Sequence, residues 1–288
     1  MKGPLAQRAF GRIGHGGAHA AVTILNATAT GIGCALAIEG GIEATWRSLP
    51  GARTGPGLQV ESATDPDLVQ AIHASWPGGA GPCRVVTRGG FPPSRGLKTS
   101  SSAATAILRA AHDAFGLPAT DGGIERLAVA ANRRAGTTLT GAFDDQVAVT
   151  RGGCHLTDNT RHGILRSIPV PCPWVAVWVP AASIRKADAR HLPAEGLREA
   201  LAPLQALVEH GQLAQAMTRN GAIFTRFYAQ HGLPVTEIPA RVALAAGALG
   251  AGLSGTGPAV AALFERQVSL PMVAGGDWAW HRTVEARP

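Results

Sequence analysis

The first half of the chain shows apolar runs separated by glycine-rich breaks, a pattern that predicts short strands and helices. Residues 18–30 (AHAAVTILNATAT) combine small and β-branched residues and predict a strand that ends at Gly31. A second strand is predicted over 33–46 with a break at Gly40-Gly41, because glycine weakens the interior of a strand. The other elements predicted in this half are strands at 58–62 and 83–87 and helices at 65–76, 101–116 and 122–135.

The second half of the chain mixes apolar strands with amphipathic helices. The pattern predicts strands at 164–170 and 174–179, helices at 193–210 and 212–231, an Ala- and Gly-rich stretch at 240–257 and another apolar run at 258–264. Because these elements follow no regular strand–helix alternation, the pattern favours an α+β fold over a doubly wound α/β fold.

The texture of the sequence changes after about residue 150, which predicts a domain boundary near 155–165. We therefore expect two domains, 1–160 and 161–288. A chain of 288 residues with 45% hydrophobic residues is long enough to bury one large core or two moderate ones.

The net charge of +7 first suggests a nucleic-acid partner. Only three lysines occur, however, and the arginines are scattered instead of forming a run that tracks a phosphate backbone. Aromatic residues make up 5% of the chain, so platforms for base stacking are scarce. We expect no nucleic-acid partner, and small anionic ligands account for the basic character equally well.

The sequence also bears on the cellular compartment. No stretch reaches the roughly 18 apolar residues of a membrane span, and no apolar signal segment is found near residue 1, so we expect no membrane partner. The four cysteines are widely spaced and do not form a disulfide framework. These features favour a cytoplasmic location and leave the oligomeric state open.

The most informative segment is 92–104, which reads PPSRGLKTSSSAA. It is a glycine loop followed by a hydroxyl cluster and a helix of small residues. The unpaired N–H groups of a helix N-terminus attract phosphate, and serine hydroxyls there can bind phosphate or Mg²⁺. Lys98 could add a point charge. The alternative is a serine-capped helix after a loop. No Walker A motif occurs, which argues against an ordinary P-loop NTPase.

A second segment, 139–146 (LTGAFDDQ), places an acidic pair beside glycine and hydroxyl groups. Asp144 could accept a proton from an attacking alcohol or neutralise a cation. The alternative is a simple turn, because aspartate favours turns and caps.

A third segment, 250–258 (GAGLSGTGP), contains a GxGxxG match. Only 31 residues follow Gly257, too few for the rest of a dinucleotide-binding fold. A glycine-rich turn that lines a phosphate pocket fits better. The alternative is a small-residue loop packed tightly under a helix.

Taken together and in this order, the three segments resemble motifs of the GHMP kinase superfamily, and within it those of the archaeal-type shikimate kinases. The segments that carry the resemblance are 21–27, 29–31, 96–103, 140–145 and 252–259. The resemblance implies a two-domain α+β GHMP kinase fold, with a ribosomal-protein-S5-like N-terminal domain and a ferredoxin-like C-terminal domain.

The resemblance also implies an activity: transfer of the γ-phosphate of MgATP to the 3-hydroxyl of shikimate. The alternative acceptor is another small cyclic polyol or hydroxy acid. Asp144 matches the position of the catalytic aspartate, and Asp145 stands where other members carry Asn. Intact hydroxyl and acidic motifs argue against a member that only binds nucleotide.

By the same resemblance, the ATP phosphates are held by Pro93, Ser94, Arg95, Gly96, Leu97, Lys98, Thr99, Ser100, Ser101, Ser102 and Ala103. Either Ser101 or Ser102 is the Mg²⁺ contact. The residues proposed for the acceptor substrate are Asn26, Arg133, Arg134, Thr140, Gly255 and Thr256. For the two arginines the alternative is a solvated helix face. Gln146 departs from the family pattern beside the presumed acceptor, where a small residue is expected.

Overall fold

The computed structural model describes residues 11–49, 58–61, 64–76, 81–138, 140–170 and 172–287. Within these ranges the chain forms two β-sheets, one of six strands and one of four, with helices packed on both. The described helices are all too short or too polar to cross a membrane.

The first sheet is built around one long strand. Its members are β1 (Ile13–Leu25), β2 (Ile32–Ser48), β3 (Leu58–Glu61), β4 (Cys83–Gly89), β5 (Cys154–Asp158) and β6 (Gly163–Ser167). β2 pairs with β1 along one edge, and with β4 and β5 in succession along the other. All pairings are antiparallel except that of β3 with β4. The first sheet therefore brings residues far apart in sequence to the end of β2 near Ile32.

Four helices accompany this sheet: α1 (Pro66–Ser75), α2 (Thr99–Phe115), α3 (Asp121–Arg134) and α4 (Phe143–Arg151). α2 lies directly on β1 because two glycines there carry no Cβ. A Cβ at Gly14 would lie 2.2 Å from the carbonyl oxygen of Ala110, and one at Gly16 would lie 2.3 Å from that of Ala106. The alanine-rich face of α2 is buried in this contact.

The second sheet is antiparallel and has the strand order β10-β7-β9-β8. The elements of this half are β7 (Trp174–Pro180), α5 (Lys186–Ala189), α6 (Leu197–Glu209), α7 (Leu213–Gln230), α8 (Ile238–Ala245), β8 (Gly250–Leu253), β9 (Val260–Phe264) and β10 (Gly276–Arg282). α6 and α7 also pack against β1, so both halves contribute to one buried cluster that includes Ile24, Leu36, Met217 and Phe224.

The glycine pair in β2 does not break the strand, and that prediction is wrong. β2 continues through Gly40 and Gly41, and its register against β1 shifts there in a bulge. Gly40 adopts a φ of +89°, and a Cβ at Gly41 would lie 1.7 Å from the carbonyl oxygen of Ala18. Glycine in a strand accommodates such bulges and close approaches. Gly40 and Gly41 therefore allow β2 to stay paired with β1 instead of ending the strand.

Most other predicted elements are confirmed within a few residues, and Ser62, the last residue of one predicted strand, lies outside the described residues. Elements without a predicted counterpart are α4, β5, α5, α8, β8 and β10. The division at residue 160 stays a prediction. β6 belongs to the first sheet, and near the C-terminus Val284 donates its backbone N–H to Ala37 in the same sheet.

We expect Gly16→Ala to destabilise the protein, because the added methyl group meets the backbone of α2. Overpacking of this kind costs about 1–3 kcal/mol in the free energy of unfolding. Gly17→Ala is the matched control, since a Cβ there would meet only the carbonyl oxygen of Ile42, at 3.9 Å. Urea denaturation of both variants checks this, and equal midpoints would contradict the packing described.

Candidate active site

A cavity of about 490 Å³ opens where the loop before α2 faces the segment that leads into α5. The residues from the α2 side that line it are Pro93, Ser94, Gly96, Leu97, Lys98, Thr99, Ser100 and Ser101. The opposite walls include the end of α3, the start of α1 and residues 184–187. The N-terminus of α2 therefore lies in the wall of this cavity.

The first turn of α2 is presented without a side-chain cap. Lys98 occupies the N-cap position with a φ of +60°, and no side chain there accepts a hydrogen bond from the helix. Free N–H groups and the helix dipole both attract an anion. Three hydroxyl-bearing residues of the first turn, Thr99, Ser100 and Ser101, line the cavity beside them.

The loop before α2 is locked against the loop that follows β8. Ser254 donates its hydroxyl to the carbonyl oxygen of Gly96 over 2.9 Å, and the N–H of Ala259 donates to that of Arg95 over 3.1 Å. Gly96 has a φ of +82°, and a Cβ there would lie 1.9 Å from the Ser254 carbonyl oxygen. No other residue type fits this contact without moving one of the loops.

A second, smaller cavity of about 30 Å³ adjoins the first on the side of β1 and α4. Residues particular to it are Thr23, Asn26, Ala27, Thr28, Thr140, Asp144 and Gly255. Six residues line both cavities: Lys98, Thr138, Ala142, Asp145, Lys186 and Thr256. We call this shared wall the junction.

Asp144 lies at the start of α4 on the small-cavity side and is held by Asn159. The Asp144 N–H donates to Asn159 Oδ1 over 3.0 Å, and Asn159 Nδ2 donates to Asp144 Oδ1 over 2.7 Å. A Cβ at Gly33 would lie 2.6 Å from Asp144 Oδ2, so a glycine leaves room for the carboxylate. Burial, followed by the neighbouring charge of Asp145, raises the pKa of Asp144 to about 6, against the opposing effects of Lys98 and Asn159.

Asp145 and Lys98 form a buried ion pair at the junction. Lys98 Nζ lies 2.8 Å from Asp145 Oδ1, and the two side chains are 7% and 10% exposed. The charge that the sequence predicted for a phosphate is therefore shared with a carboxylate in the structure.

Lys186 completes the junction from α5, and sequence reasoning missed it. Its Nζ donates a hydrogen bond to Thr256 Oγ1 over 3.2 Å. Burial, followed by repulsion from Lys98, lowers the pKa of Lys186 to about 8, although Asp145 and Asp144 act in the opposite direction. Its one signal in the sequence is rarity, since it is one of three lysines among many arginines.

Three residues predicted to hold phosphate face elsewhere. Arg95 donates to the carbonyl oxygens of Pro93, Pro180 and Ala181, so its guanidinium ties the loop to the end of β7. Ser102 accepts a hydrogen bond from the N–H of Ile42 over 3.2 Å, on the sheet side of α2. Ala103 is fully buried beside it.

Of the residues predicted to bind the acceptor, some line the small cavity and others do not. Asn26, Thr140, Gly255 and Thr256 line the small cavity. Arg133 is exposed and lines neither cavity, although its Nη2 donates to the carbonyl oxygen of Thr140 over 3.5 Å. Arg134 is exposed and lines neither of the two cavities.

Gln146 lines neither cavity, although the sequence suggested a position beside the acceptor. It is fully buried, and its Oε1 accepts a hydrogen bond from the hydroxyl of Thr105 on α2. The helix α4 turns this side chain away from the cavity while it keeps Asp144 and Asp145 in the wall.

The glycines of the third motif serve two purposes. Gly250 and Gly252 lie in β8, and a Cβ at either would approach the backbone of α7 to within 2.5 Å. This is the tight packing under a helix that was the alternative interpretation. Gly255 and Gly257 instead have φ values of +60° and +76° in the loop against Gly96.

Family models place the chain among known kinases. The model described as GHMP kinases N terminal domain matches residues 67–153, and that described as GHMP kinases C terminal matches residues 199–270. The shikimate kinase of Halobacterium salinarum is 37% identical over 263 residues, covering 85% of this chain and 86% of the relative. The shikimate kinase of Thermococcus kodakarensis is 32% identical over 256 residues, covering 85% and 90%.

Solved structures share the fold at low sequence identity. A homoserine kinase from Cytophaga hutchinsonii has a TM-score of 0.71 at 18% identity, covering 96% of each chain. The mevalonate kinase of L. major, solved in complex with R-mevalonate, has a TM-score of 0.69 at 18% identity, covering 95% of this chain and 96% of that one.

The chain therefore belongs to the GHMP kinases, and the predicted two-domain α+β fold of that family is confirmed. Within the family its place is with the archaeal shikimate kinases, as the resemblance had indicated.

We expect Asn159→Ala to raise the pKa of Asp144 above its value of about 6, because the ionised carboxylate loses a hydrogen bond. A hydrogen bond to a charged group contributes about 1.5–3 kcal/mol, which corresponds to a rise of about one to two pH units. Carbon-13 NMR titration of labelled aspartates measures it. Thr160→Ala is the control, since that hydroxyl bonds Asp158 instead, and equal shifts in both variants would contradict the assignment.

Proposed function

We propose that the protein transfers the γ-phosphoryl group of ATP to the 3-hydroxyl of shikimate. The observation that carries this proposal is the pair of adjoining cavities. One is lined by a helix N-terminus suited to phosphate, the other holds a buried carboxylate, and the two meet at a charged junction. The names of the relatives support shikimate as the acceptor.

The nucleotide occupies the large cavity in this proposal, with its phosphates over the first turn of α2. The uncapped N–H groups and the hydroxyls of Ser100 and Ser101 are the groups offered to phosphate oxygens. Gly96 permits the loop to fold close to them. Arg95, Ser102 and Ala103 contribute by shaping the loop and helix and do not contact the nucleotide.

The acceptor binds on the side of the small cavity, against Asn26, Thr140, Gly255 and Thr256, and this cavity of about 30 Å³ must widen to admit it. Its hydroxyl oxygen attacks the γ-phosphorus, a new P–O bond forms, and the bond from the γ-phosphorus to the bridging oxygen breaks. The electron pair leaves with ADP, and the hydroxyl proton passes to Asp144. Positioning and charge neutralisation do most of the work in such reactions.

Magnesium is the cation we propose with ATP, and the residues present fit it. The hydroxyl groups at the start of α2 are oxygen donors of the kind that Mg²⁺ takes, and phosphates and water would supply its other ligands. Of the two serines predicted to contact the ion, Ser101 lines the cavity and Ser102 does not, so we assign the contact to Ser101. When bound, the ion neutralises charge on the phosphate oxygens.

Asp144→Asn is expected to lower kcat by about 10²–10⁴-fold, the usual contribution of a general base, with ATP binding retained. The amide keeps the shape of the side chain and cannot accept the proton. A coupled assay of shikimate-dependent ADP release measures kcat, and titration calorimetry measures ATP binding. Asp277→Asn, an exposed change on β10, is the charge-matched control. Unchanged turnover in the Asp144 variant would rule out this role.

The pH dependence follows from the raised pKa of Asp144. Below about pH 6 the carboxyl group is protonated and no longer accepts the hydroxyl proton, so kcat/KM falls as the pH drops through this value. The acid limb of the profile should disappear in Asp144→Asn. A limb that persists unchanged in the variant belongs to another group.

Ser101→Ala and Ser102→Ala form a matched pair that tests the cation contact. Ser101→Ala should raise the Mg²⁺ concentration for half-maximal activity at least about tenfold, because one ligand is lost. Ser102→Ala should leave it unchanged and lower stability by about 1–3 kcal/mol, since the buried N–H of Ile42 loses its acceptor. The reverse pattern would assign the contact to Ser102.

A further inference from the structure

The two lysines at the junction differ in their partners. Lys98 is neutralised by Asp145 across 2.8 Å. Lys186 forms no ion pair with a carboxylate among the described residues, and its hydrogen-bond acceptor is the neutral hydroxyl of Thr256. Lys186 is thus the cation at the junction whose charge is not already matched by a partner in direct contact.

The position of the Lys186 ammonium group is unfavourable without a bound anion. Withdrawing an ammonium group from water without a counterion in direct contact is costly, and the nearby carboxylates of Asp144 and Asp145 offset only part of that cost. The cost shows in Lys186 itself, because burial is the main reason that its pKa is lowered to about 8. An anion that entered the junction would relieve this cost, so the position favours a negatively charged ligand between the two cavities.

We infer that Lys186 is a catalytic residue of the transfer proposed above, and that its ammonium group contacts the phosphoryl group as it passes from the large cavity to the small one. Charge on the equatorial oxygens of that group is then neutralised from the α5 side, opposite the first turn of α2. This inference rests on the proposed function and assigns a role to one further residue of the same site.

The position of Lys186 favours the phosphoryl group over the carboxylate of the acceptor. Lys186 lines both cavities, so it lies where they meet and not at the far wall of the small one. Shikimate carries its carboxylate two ring carbons away from the 3-hydroxyl. When the hydroxyl faces the junction, the carboxylate lies further from it.

Charged groups face Lys186 from α2 and from α4, and others lie on its own segment. Lys98 faces it from the start of α2, and Asp144 and Asp145 face it from α4. On its own segment, Arg185 and Asp188 are paired with each other. As the pH rises through about 8, the ammonium group loses its proton. The kcat/KM for MgATP, which reports the free enzyme, should therefore fall on the alkaline side.

The experiment compares Lys186→Met with Lys186→Arg, using the full-length protein, MgATP and shikimate. Met keeps most of the length without the charge, and we expect kcat to fall by about 10²–10³-fold, the usual effect of losing one group that stabilises developing charge. Arg should recover part of this loss. Arg198→Gln, an exposed change on α6, controls for the loss of one positive charge.

Two further readouts separate this role from others. The alkaline limb of kcat/KM should be absent in Lys186→Met and move to higher pH in Lys186→Arg. The loss in kcat should be equally large with the methyl ester of shikimate as acceptor. A rise in KM that is confined to shikimate and vanishes with the ester would overturn the inference in favour of a carboxylate contact.

Two other outcomes concern a structural role of Lys186 and the proposed function itself. An unchanged pH profile with lowered stability in both Lys186 variants would reduce Lys186 to a structural residue and overturn the inference. If the unaltered protein releases no ADP in response to shikimate, it is the proposed function that fails, and the Lys186 variants are then not the cause.

Discussion

The contact between the loop at Gly96 and the loop at Ser254 is the constraint on which the site depends. The Ser254 hydroxyl and the N–H of Ala259 bridge the two loops, and the N–H of Gly255 ties the second loop to β1. Thr23 in β1 makes two hydrogen bonds to the loop at Ser254. Its hydroxyl accepts from the N–H of Gly255, and its N–H donates to the Ser254 hydroxyl. Gly96 lines the large cavity and Gly255 lines the small one, so the contact fixes these two walls relative to each other.

The same contact explains the electrostatics of the junction. It holds Lys98 at the start of α2 and Thr256 beside Lys186, and the start of α4 adds two carboxylates. Each of these groups would be strongly solvated alone. Burial, followed by repulsion from the neighbouring like charge, brings the pKa values of Asp144 and Lys186 nearer to neutral pH than those of free side chains.

Local sequence predicted those parts of the molecule that short-range rules determine. The strand and helix periodicities identified most of the long elements, and glycine beside hydroxyl or acidic residues identified the loop at Gly96 and the pair at Asp144. The face of a helix or strand on which a given residue lies was harder to predict. Ser101 and Ser102 are adjacent and alike, yet one lines the cavity and the other bonds β2.

The parts that sequence reasoning missed depend on contacts distant in the chain. Gly40 and Gly41 support a bulge that exists only because β1 pairs with β2. Asn159 acts on Asp144 from the end of β5, and Lys186 reaches the junction from a helix of four residues without a recognisable motif. Gln146 directly follows the acidic pair in sequence, but the helix α4, which has no predicted counterpart, turns it toward Thr105.

The central claim is that phosphoryl transfer takes place at the junction of the two cavities. A crystal structure of the protein with Mg²⁺, a non-hydrolysable ATP analogue and shikimate tests it most directly. We predict phosphates over the first turn of α2 and the shikimate 3-hydroxyl beside Asp144, about 3–3.5 Å from the γ-phosphorus. A nucleotide bound away from α2, or shikimate bound away from Asp144, would contradict the account.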